Sequence, residues 1–580
     1  MRRLPRTFFL YPLWPSRLVS LFMNNKTASL RLVIIGGVAA GASCAARARR
    51  LSEAAQITLL ERGPDISFAN CGLPYYIGGE IKQRDALAVQ TPQTLKAMLV
   101  LEVRTSTEAI AIDRSGKRVQ VRALAAGTTE WLPYDKLLLA PGAVPLRPAL
   151  PGIDDRRIFT LRSLQDMDRI KAAAMSAQRV TVIGAGFIGL EMAEQFVRLG
   201  KQVTLVELQD QVLPPLDPLM TRLMEDELRR HAIELILGDG IASFSGESTL
   251  TCRLSSGREM VADLVVLSIG VRPDTALARD AGLELGSRGH IHVNPFMQTS
   301  DPDIYAAGDA VEIKDLVSGE VMAVPLGGPA NRQGRLAADH MFRPAQTQPY
   351  TGALGTAIVR AFDVAAGLTG WSEKRLRAAG RAFRTVTVND NHHAGYFPGA
   401  KPILLKLLWE PETGRVLGAQ ATGFLGVDKR LDVLATAITG GLTIDDLAQL
   451  ELAYAPPFGA AKDIVNLAGF AACNARDGLV TPIDDLPDDP AVQVLDNRPP
   501  ALVQAYPLPQ VRALNIPLAA LRQRLDELDR NRPVVTVCAL GKTAYFAARI
   551  LAQNGFQVST LTGGIRAHFD PRSPAKLPTP

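Results

Sequence analysis

The sequence is short of cysteine: it has five in 580 residues, namely Cys44, Cys71, Cys252, Cys473 and Cys538. No two of them form a C-x-x-C pair, so neither structural zinc nor a disulfide framework is expected. Reduced thiols of this kind predict a cytoplasmic protein. His392 and His393 are adjacent but have no second cluster of ligands, and no metal site is predicted.

Long apolar runs and a strong net charge are absent as well. No stretch has the 18 or more apolar residues that a membrane-spanning helix needs. The net charge is only +6, and basic residues are not clustered on one element, so neither a membrane nor a nucleic acid is an expected partner. Residues 1–29 begin MRRLPRTFFLYPLWP, and prolines and Arg17 interrupt their apolar run. An N-terminal extension, disordered or not translated upstream of Met23, is favoured over an export signal.

A first glycine-rich turn lies in residues 32–41, LVIIGGVAAG, between a short apolar strand and an alanine-rich helix. The next strand, ITLLE, ends in an acid. Glycines of such a turn let the backbone approach a pyrophosphate, and the acid holds ribose hydroxyls, so this first unit is predicted to bind a dinucleotide. Val38 replaces the second glycine of G-x-G-x-x-G. The candidate cofactor-binding residues are Gly36, Gly37, Gly41 and Glu61.

The same pattern recurs in a second unit, where residues 179–191 read RVTVIGAGFIGLE with a full G-x-G-x-x-G. The following strand, QVTLVE, again ends in an acid. The glycines could instead serve only the packing of helix against strand. Because the whole pattern occurs twice in one chain, that interpretation is the weaker one. Two further strands end in similar turns, YDKLLLAPG and TSDPDIYAAGD. These three segments add the candidates Gly142, Gly184, Gly186, Gly189, Glu207, Gly308 and Asp309.

With these segments the chain resembles, over residues 30 to 470, the flavoprotein disulfide reductases that have two dinucleotide-binding domains. The resemblance implies that the first unit binds FAD, that the second binds NADH or NADPH, and that Asp309 contacts the ribityl chain of FAD. Glu207 would bond a ribose 2′-hydroxyl and repel a 2′-phosphate, while Leu208 and Gln209 offer no positive charge. NADH is therefore predicted over NADPH, although NADPH is possible.

Cys71 lies in the segment SFANCGLPYYIGG, residues 67–79. Glutathione-reductase-like members have a CxxxxC pair, but the next cysteine here is Cys252, so an internal dithiol is excluded. A thiolate beside a flavin and near the positive end of a helix is expected to have a lowered pKa and to be a nucleophile. It must then form a sulfenic acid or a mixed disulfide with an external thiol. NADH peroxidases and oxidases carry a histidine where Ala39 stands here. The segment resembles that of the coenzyme A disulfide reductases and the related persulfide or polysulfide reductases.

Three further segments, PLGGPANRQGRLAADH, HHAGYFPGAK and YAPPFGAAKD, resemble the coenzyme A disulfide reductases. By this resemblance Tyr396 and Tyr454 lie near the reactive sulfur, with Tyr454 contributed across a homodimer interface, and a phenol could protonate the departing thiolate. Basic side chains suit a ligand rich in phosphate. The implied coenzyme A contacts are Ser43, Arg47, Arg50, Ser67, Asn70, Asn331 and Lys462.

The C-terminal part has a strand ending in Asp496 and Arg498, the triplet NIP, an amphipathic helix predicted over residues 518–529, the segment CALGKT and a final LTGG. With these segments it resembles a rhodanese domain. Backbone N–H groups of the loop at residues 538–544, called here the Cys538 loop, would point at a helix N-terminus and stabilise a thiolate or persulfide. Cys44, Cys252 and Cys473 are interpreted as packing residues.

The predicted fold class is α/β, with two Rossmann-like dinucleotide-binding domains, an α+β dimerisation domain and a C-terminal rhodanese-like α/β domain. After the N-terminal extension, the predicted boundaries are 30–150 with 285–345 for FAD, 151–284 for NAD(P)H, 346–475 for dimerisation, 476–488 for a linker and 489–575 for the rhodanese-like domain.

The predicted function is that of an FAD-dependent NAD(P)H:disulfide oxidoreductase that reduces coenzyme A disulfide or persulfide through Cys71, coupled to sulfur transfer at Cys538. Two alternatives remain open. One is an NADH-dependent polysulfide or persulfide reductase, and the other is a sulfurtransferase or redox sensor in which the flavin part is regulatory.

Overall fold

The structure, a computed structural model, describes residues 29–508 and 512–568, so the predicted N-terminal extension lies outside the described residues apart from Ser29. A first parallel sheet is built on LVII, whose Leu32, Val33 and Ile34 are buried. The strand Ile304–Ala306 also belongs to this sheet, although it follows the whole second unit in the sequence. Its strands, in spatial order, are Ile304–Ala306, Lys136–Leu139, Arg31–Ile35, Gln56–Leu60 and Glu102–Arg104.

Helices and small antiparallel sheets cover this first sheet. The helices are Ala39–Leu51, Pro92–Leu99 and Gly327–Phe342, with 3₁₀ segments Asn70–Gly72 and Pro344–Gln346. The short helix Leu73–Ile77 and the 3₁₀ segment Arg84–Leu87 instead pack into the core of the second unit. The small sheets are Thr107–Asp113 with Arg118–Ala123 and Thr129–Pro133, Ala143–Pro145 with Val271–Pro273, and Ile313–Lys314 with Val321–Met322. The helix Ala276–Asp280, inside the range predicted for the second domain, places Ala278 in the core of the first sheet.

The second unit repeats the parallel arrangement, as the recurrence of its motif predicts. Its strands, in spatial order, are Glu234–Leu237, Gln202–Glu207, Arg179–Ile183, Leu264–Leu267 and Ile158–Thr160. A three-stranded antiparallel sheet, Ile241–Ser245, Leu250–Leu254 and Glu259–Ala262, packs on it. Its helices are Leu164–Ser176, Phe187–Arg198 and Pro218–Arg230.

A five-stranded antiparallel sheet follows, in the order Ala357–Ala361, Val364–Gly370, Val416–Gly423, Pro402–Trp409 and Arg384–Asn391, and its three central strands are buried. Helices Val427–Gly440, Ile444–Gln449 and Ile464–Arg476 form a common core with it, and Glu373–Ala378 is a short helix at its side. Among the described helices, none is both long and apolar enough to cross a membrane.

The C-terminal domain has a parallel sheet in the order Pro482–Ile483, Val558–Leu561, Val534–Val537, Gln493–Asp496 and Ala513–Asn515. Its helices are Pro500–Ala505, Lys542–Gln553 and Gly564–His568. The strand Pro482–Ile483 lies in the stretch predicted as a linker. The predicted helix over residues 518–529 is wrong: two 3₁₀ segments, Leu518–Gln523 and Leu525–Glu527, occupy it.

The C-terminal domain packs on the edge strand Arg384–Asn391 of the antiparallel sheet. The Thr562 hydroxyl accepts the Thr387 N–H at 2.7 Å and donates to the Thr387 carbonyl at 2.8 Å. Arg222 of the second unit donates to the His568 carbonyl at 2.8 Å. These contacts cover an edge that would otherwise expose unpaired backbone groups.

Candidate active site

The two glycine turns have the same backbone geometry. Gly36 and Gly184 both have φ of +98°, and a Cβ added at either would meet a backbone carbonyl, 2.0 Å from Ala140 O or 2.5 Å from Ser268 O. Later in each turn, a Cβ at Gly41 or Gly189 would lie 1.8 Å from the carbonyl oxygen of the first glycine. These positions therefore require glycine because of the protein's own backbone.

Gly186 has a different reason to be glycine. A Cβ there would meet nothing within 4 Å, and the twelve-residue helix Phe187–Arg198 begins at the next residue. Space beside N–H groups at a helix start fits the pyrophosphate of a dinucleotide. In the first unit, a Cβ at Gly37 would touch the Ile66 side chain at 3.0 Å.

The terminal acid of each unit braces its own glycine turn. Glu61 accepts the N–H groups of Gly37 at 2.9 Å and Gly63 at 2.8 Å. Glu207 accepts those of Ala185 at 2.7 Å and Gln209 at 2.9 Å. Each carboxylate oxygen retains a second lone pair, so these contacts are compatible with ribose binding as well.

The remaining cofactor candidates lie at the ends of two strands of the first sheet. The Gly308 N–H donates to the Gln333 side chain at 2.8 Å, and burial raises the pKa of Asp309. Arg162, near Gly142, donates to the Pro141 carbonyl at 2.9 Å, and its positive charge opposes the rise in the pKa of Asp309. Arg162 was missed at the sequence level because no motif marks it.

Cys71 lies in the 3₁₀ segment Asn70–Gly72 and is exposed. The protein packed around it nevertheless desolvates the thiolate, which raises the pKa of Cys71, and the carboxylates of Glu191 and Asp309 raise it further. The protein's own groups therefore act against the lowered pKa expected from the sequence. Burial raises the pKa of Glu191 itself to about 7, and the Tyr75 hydroxyl donates to Glu191 at 3.1 Å.

Backbone contacts connect the Cys71 segment to the first glycine turn. The Ser67 N–H donates to the Gly37 carbonyl at 2.8 Å, and Ser67 has a φ of +45°. This left-handed conformation is uncommon for a non-glycine residue. Asn70, next to Cys71, is exposed.

Tyr396 and Tyr454 are brought together although 58 residues separate them. Their hydroxyls are 3.1 Å apart, and the two side chains are 76% and 49% exposed. The hydrogen bond to Tyr454 raises the pKa of Tyr396, so this phenol stays protonated over a wide pH range. Within the described part of this single chain, neither hydroxyl hydrogen-bonds to Cys71.

Four of the seven candidate coenzyme A contacts, Ser43, Arg47, Arg50 and Asn331, lie on two helices that pack together, Ala39–Leu51 and Gly327–Phe342. Ser43 donates to the Asn331 side chain at 2.6 Å, and Arg47 forms an ion pair with Asp339 at 2.5 Å. Arg50 and Lys462 are exposed. Arg47 also lines a cleft of about 350 Å³ that holds three more arginines, which no sequence motif marks. They are Arg332, Arg335 and Arg343.

Cys538 lies at the end of the strand Val534–Val537 and is only 3% exposed. Its sulfur accepts the N–H of Ala544, in the first turn of the helix Lys542–Gln553, at 3.3 Å. Gly541 has a φ of +88°, and a Cβ at Gly564 would lie 2.3 Å from its nitrogen, so the Cys538 loop and the LTGG segment are closely packed. Asp496 and Arg498 form a buried bidentate ion pair.

The remaining cysteines differ in burial. Cys44 and Cys252 are fully buried, and burial raises the pKa of Cys252 to about 12. Cys473 is partly exposed, with its sulfur 3.7 Å from Asp445.

Comparison with protein families gives three consecutive matches. Residues 30–330 match the pyridine nucleotide-disulphide oxidoreductases, residues 356–464 match the dimerisation domain of those proteins, and residues 480–568 match the rhodanese-like domain.

Individual proteins give the same picture. A coenzyme A disulfide reductase of Staphylococcus haemolyticus is 34% identical over 444 residues, which are 76% of this chain and 99% of that protein. The crystal structure of reduced CoADR-RHD of Bacillus anthracis has a TM-score of 0.91 and 42% identity, covering 94% of this chain and 98% of that one. The NAD-dependent persulfide reductase of A. fulgidus has a TM-score of 0.88 and 38% identity, covering 93% and 100%.

Proposed function

Because the chain belongs to the pyridine nucleotide-disulphide oxidoreductases, we propose that it reduces coenzyme A disulfide or coenzyme A persulfide at Cys71. The observation that carries this proposal is an exposed Cys71 with no neighbouring cysteine, in a segment hydrogen-bonded to the first glycine turn. A thiol without an internal partner must form its disulfide with an external molecule. The names of the similar proteins supply the coenzyme A and persulfide chemistry.

Cys71 attacks one sulfur of coenzyme A disulfide, forms a mixed disulfide with that half and releases the other half as its thiolate. The hydroxyl of Tyr396 or Tyr454 donates the proton that the leaving thiolate takes up. FAD and NAD(P)H, when bound, supply the two electrons that return the mixed disulfide to thiolates. Since both tyrosines are exposed and the chain matches a dimerisation domain, we assign their contact with Cys71 to a homodimer.

The residues that would hold the cofactors are those of the two glycine turns. FAD would bind at the first turn with Glu61, Gly142 and Asp309, and NAD(P)H at the second turn with Glu207. NADH is preferred in this proposal because Glu207 repels a 2′-phosphate. The NADPH alternative predicts a kcat/KM with NADPH at least as high as that with NADH, and steady-state kinetics with each nucleotide separates the two possibilities.

Coenzyme A would bind across the two packed helices, with its phosphates at the arginines. Arg47, Arg50 and the three arginines of the cleft give a concentration of positive charge suited to several phosphate groups. Ser43, Asn331, Ser67, Asn70 and Lys462 complete the proposed contacts.

Cys538 would carry sulfane sulfur, as a persulfide, to or from coenzyme A. Its burial and the Ala544 N–H support a small sulfur species at this position. A sulfurtransferase in which Cys538 does the main chemistry is the second candidate, and a non-turning-over redox sensor is a third. We place the enzyme in the cytoplasm because its cysteines are isolated and the proposed cycle needs reduced thiols.

The test measures the mass of the adduct on Cys71 after the flavin-loaded enzyme has been incubated with coenzyme A disulfide in the absence of a reductant. One coenzyme A on the Cys71 peptide, absent in Cys71→Ser and present in Cys538→Ser, supports the proposal. An unmodified Cys71 peptide with modification confined to Cys538 favours the sulfurtransferase instead.

A further inference from the structure

A cavity of about 60 Å³ lies where the second unit, the antiparallel sheet and the C-terminal domain meet. The helix Pro218–Arg230 and the terminal helix Gly564–His568 both line this cavity. Three neighbouring strands of the antiparallel sheet form the floor. None of the residues assigned above to the cofactors or to coenzyme A lines this cavity, which is therefore separate from the proposed active site.

The floor carries polar atoms that lack hydrogen-bond partners. Asn389, Leu404 and Thr422 pair across three adjacent strands in one register row. Asn389 Oδ1 and Thr422 Oγ1 are both buried, and neither has a hydrogen-bond partner among the described residues. Thr422 is only 1% exposed. An amide oxygen can only accept and a hydroxyl can donate, so this row offers one acceptor and one donor two strands apart, with Leu404 between them.

The wall above this floor is cationic and apolar. Arg222 and Arg566 line it, with one carboxylate, Asp226, and the apolar side chains of Leu223 and Phe424. Arg222 uses one guanidinium nitrogen on the His568 carbonyl, and Arg566 is exposed. Guanidinium groups are well suited to a carboxylate because their fork of donors matches its two oxygens.

We propose that this cavity binds a small carboxylate that carries a secondary amide, which is the chemistry of a short peptide's C-terminal end. The amide N–H would donate to Asn389, the amide carbonyl would accept from Thr422, and the carboxylate would lie at Arg222 and Arg566. The volume accommodates only the terminal residue, so the rest of the ligand would extend outward. The inference does not depend on the proposed reduction of coenzyme A disulfide.

The site is coupled to the Cys538 loop through the terminal helix. The Ile565 N–H donates to the Cys538 carbonyl at 2.8 Å, and the Arg566 N–H donates to the Ala539 carbonyl at 3.0 Å. A carboxylate held by Arg566 therefore acts on a residue whose own backbone supports that loop.

The test is a calorimetric titration of the flavin-loaded full-length protein with S-methylglutathione, whose blocked sulfur cannot react with either cysteine. Wild type should bind one equivalent. Thr422→Val should weaken binding three- to tenfold by removing one hydrogen bond, and Arg566→Gln about tenfold or more by removing a charged one. Thr385→Val is the matched control, because Thr385 Oγ1 is also buried without a partner in the described structure but lies outside the cavity.

Three outcomes would overturn the proposal. The first is that wild type does not bind S-methylglutathione, and the second is that Thr422→Val and Thr385→Val bind it with equal affinity. The third is that binding is lost when coenzyme A saturates the protein, which would assign the ligand to the arginine cleft. Arg566 is exposed, so its substitution should leave folding intact and keeps the test decisive even if a floor variant misfolds. The wild-type protein should bind the C-terminal amide of S-methylglutathione as weakly as the Arg566→Gln variant binds S-methylglutathione itself.

Discussion

Cys71 and Cys538 are the two cysteines for which chemistry is proposed, and the protein treats them in opposite ways. Cys71 is exposed, and the desolvation and carboxylates around it raise its pKa. Cys538 is almost fully buried, and a backbone N–H at a helix start donates to its sulfur. An exposed thiol can attack a bulky external disulfide, whereas a buried sulfur that accepts a backbone N–H can hold a single transferred atom. The difference indicates two separable reactions in one chain.

Substituting each cysteine separately is the strongest test of this comparison. Cys71→Ser should lower NADH oxidation with coenzyme A disulfide by several orders of magnitude, because the nucleophile is lost. Cys538→Ser should leave that rate unchanged and abolish persulfide loading of the C-terminal domain. Steady-state absorbance and peptide mass spectrometry measure the two reactions, with Cys473→Ser as the control. Full reductase activity in Cys71→Ser would refute the assignment.

The tyrosine pair should matter for only one of the two cysteines. Tyr454→Phe removes a hydroxyl that hydrogen-bonds Tyr396, and we expect kcat for coenzyme A disulfide to fall by about 10²-fold through loss of proton donation. Persulfide loading of Cys538 should not change. Tyr506→Phe, at an exposed tyrosine of the C-terminal domain, is the matched control. An unchanged kcat in Tyr454→Phe would remove the phenol from the mechanism.

Sequence patterns predicted the elements whose chemistry is local. Gly36 and Gly184 were found because a positive φ against a neighbouring carbonyl admits only glycine, and that requirement leaves a spacing in the sequence. The Cys538 loop was recognised in the same way. Arg162 and the three cleft arginines leave no such spacing, because only the folded chain brings them to their positions. The fold class, built from such local units, was predicted correctly.

Two sequence-based expectations failed for physical reasons. The lowered pKa of Cys71 was argued from a helix end, but desolvation of the thiolate in the fold opposes it, and so does the carboxylate of Glu191, 120 residues later. The helix predicted over residues 518–529 has leucines at 518 and 521 and again at 525 and 528. That spacing of three, four and three residues is the one that predicts an α-helix. The extended φ of −125° at Arg524 interrupts the helical backbone, so two 3₁₀ segments form instead, and Leu521 and Leu528 are still buried.

The pH dependence of alkylation can sharpen the contrast between the two thiols. The Glu191 carboxylate raises the pKa of Cys71, and it is ionised at the pH where Cys71 titrates because its own pKa is about 7. Glu191→Gln should therefore lower the pKa of Cys71 and move its half-maximal alkylation to lower pH. The profile of Cys538 should not move.

The measurement for Glu191→Gln is iodoacetamide labelling of the flavin-loaded enzyme, quantified on the Cys71 peptide across pH. Glu225→Gln provides the control, because burial also raises the pKa of that carboxyl but it lies on the helix Pro218–Arg230 and does not act on Cys71. A shift to higher pH, or the same shift in both variants, would contradict the role given to Glu191.

The smallest expected effect tests how much of the burial of Cys538 depends on the docking of the C-terminal domain against the antiparallel sheet. Thr562→Val removes the hydroxyl that bonds both backbone groups of Thr387, and leaving those groups unpaired should cost about 1–3 kcal/mol of docking free energy. Thr562 is followed by Gly563 and Gly564, which pack on the Cys538 loop, so alkylation of Cys538 should become faster while that of Cys71 stays the same.

Thr560→Val, inside the C-terminal domain, is the control and should leave amide exchange at Thr387 unchanged. If Cys538 is labelled at the wild-type rate while Thr387 exchanges faster, the loop is shielded by its own domain alone. The contrast between the two cysteines would then arise within the C-terminal fold and not from its docking.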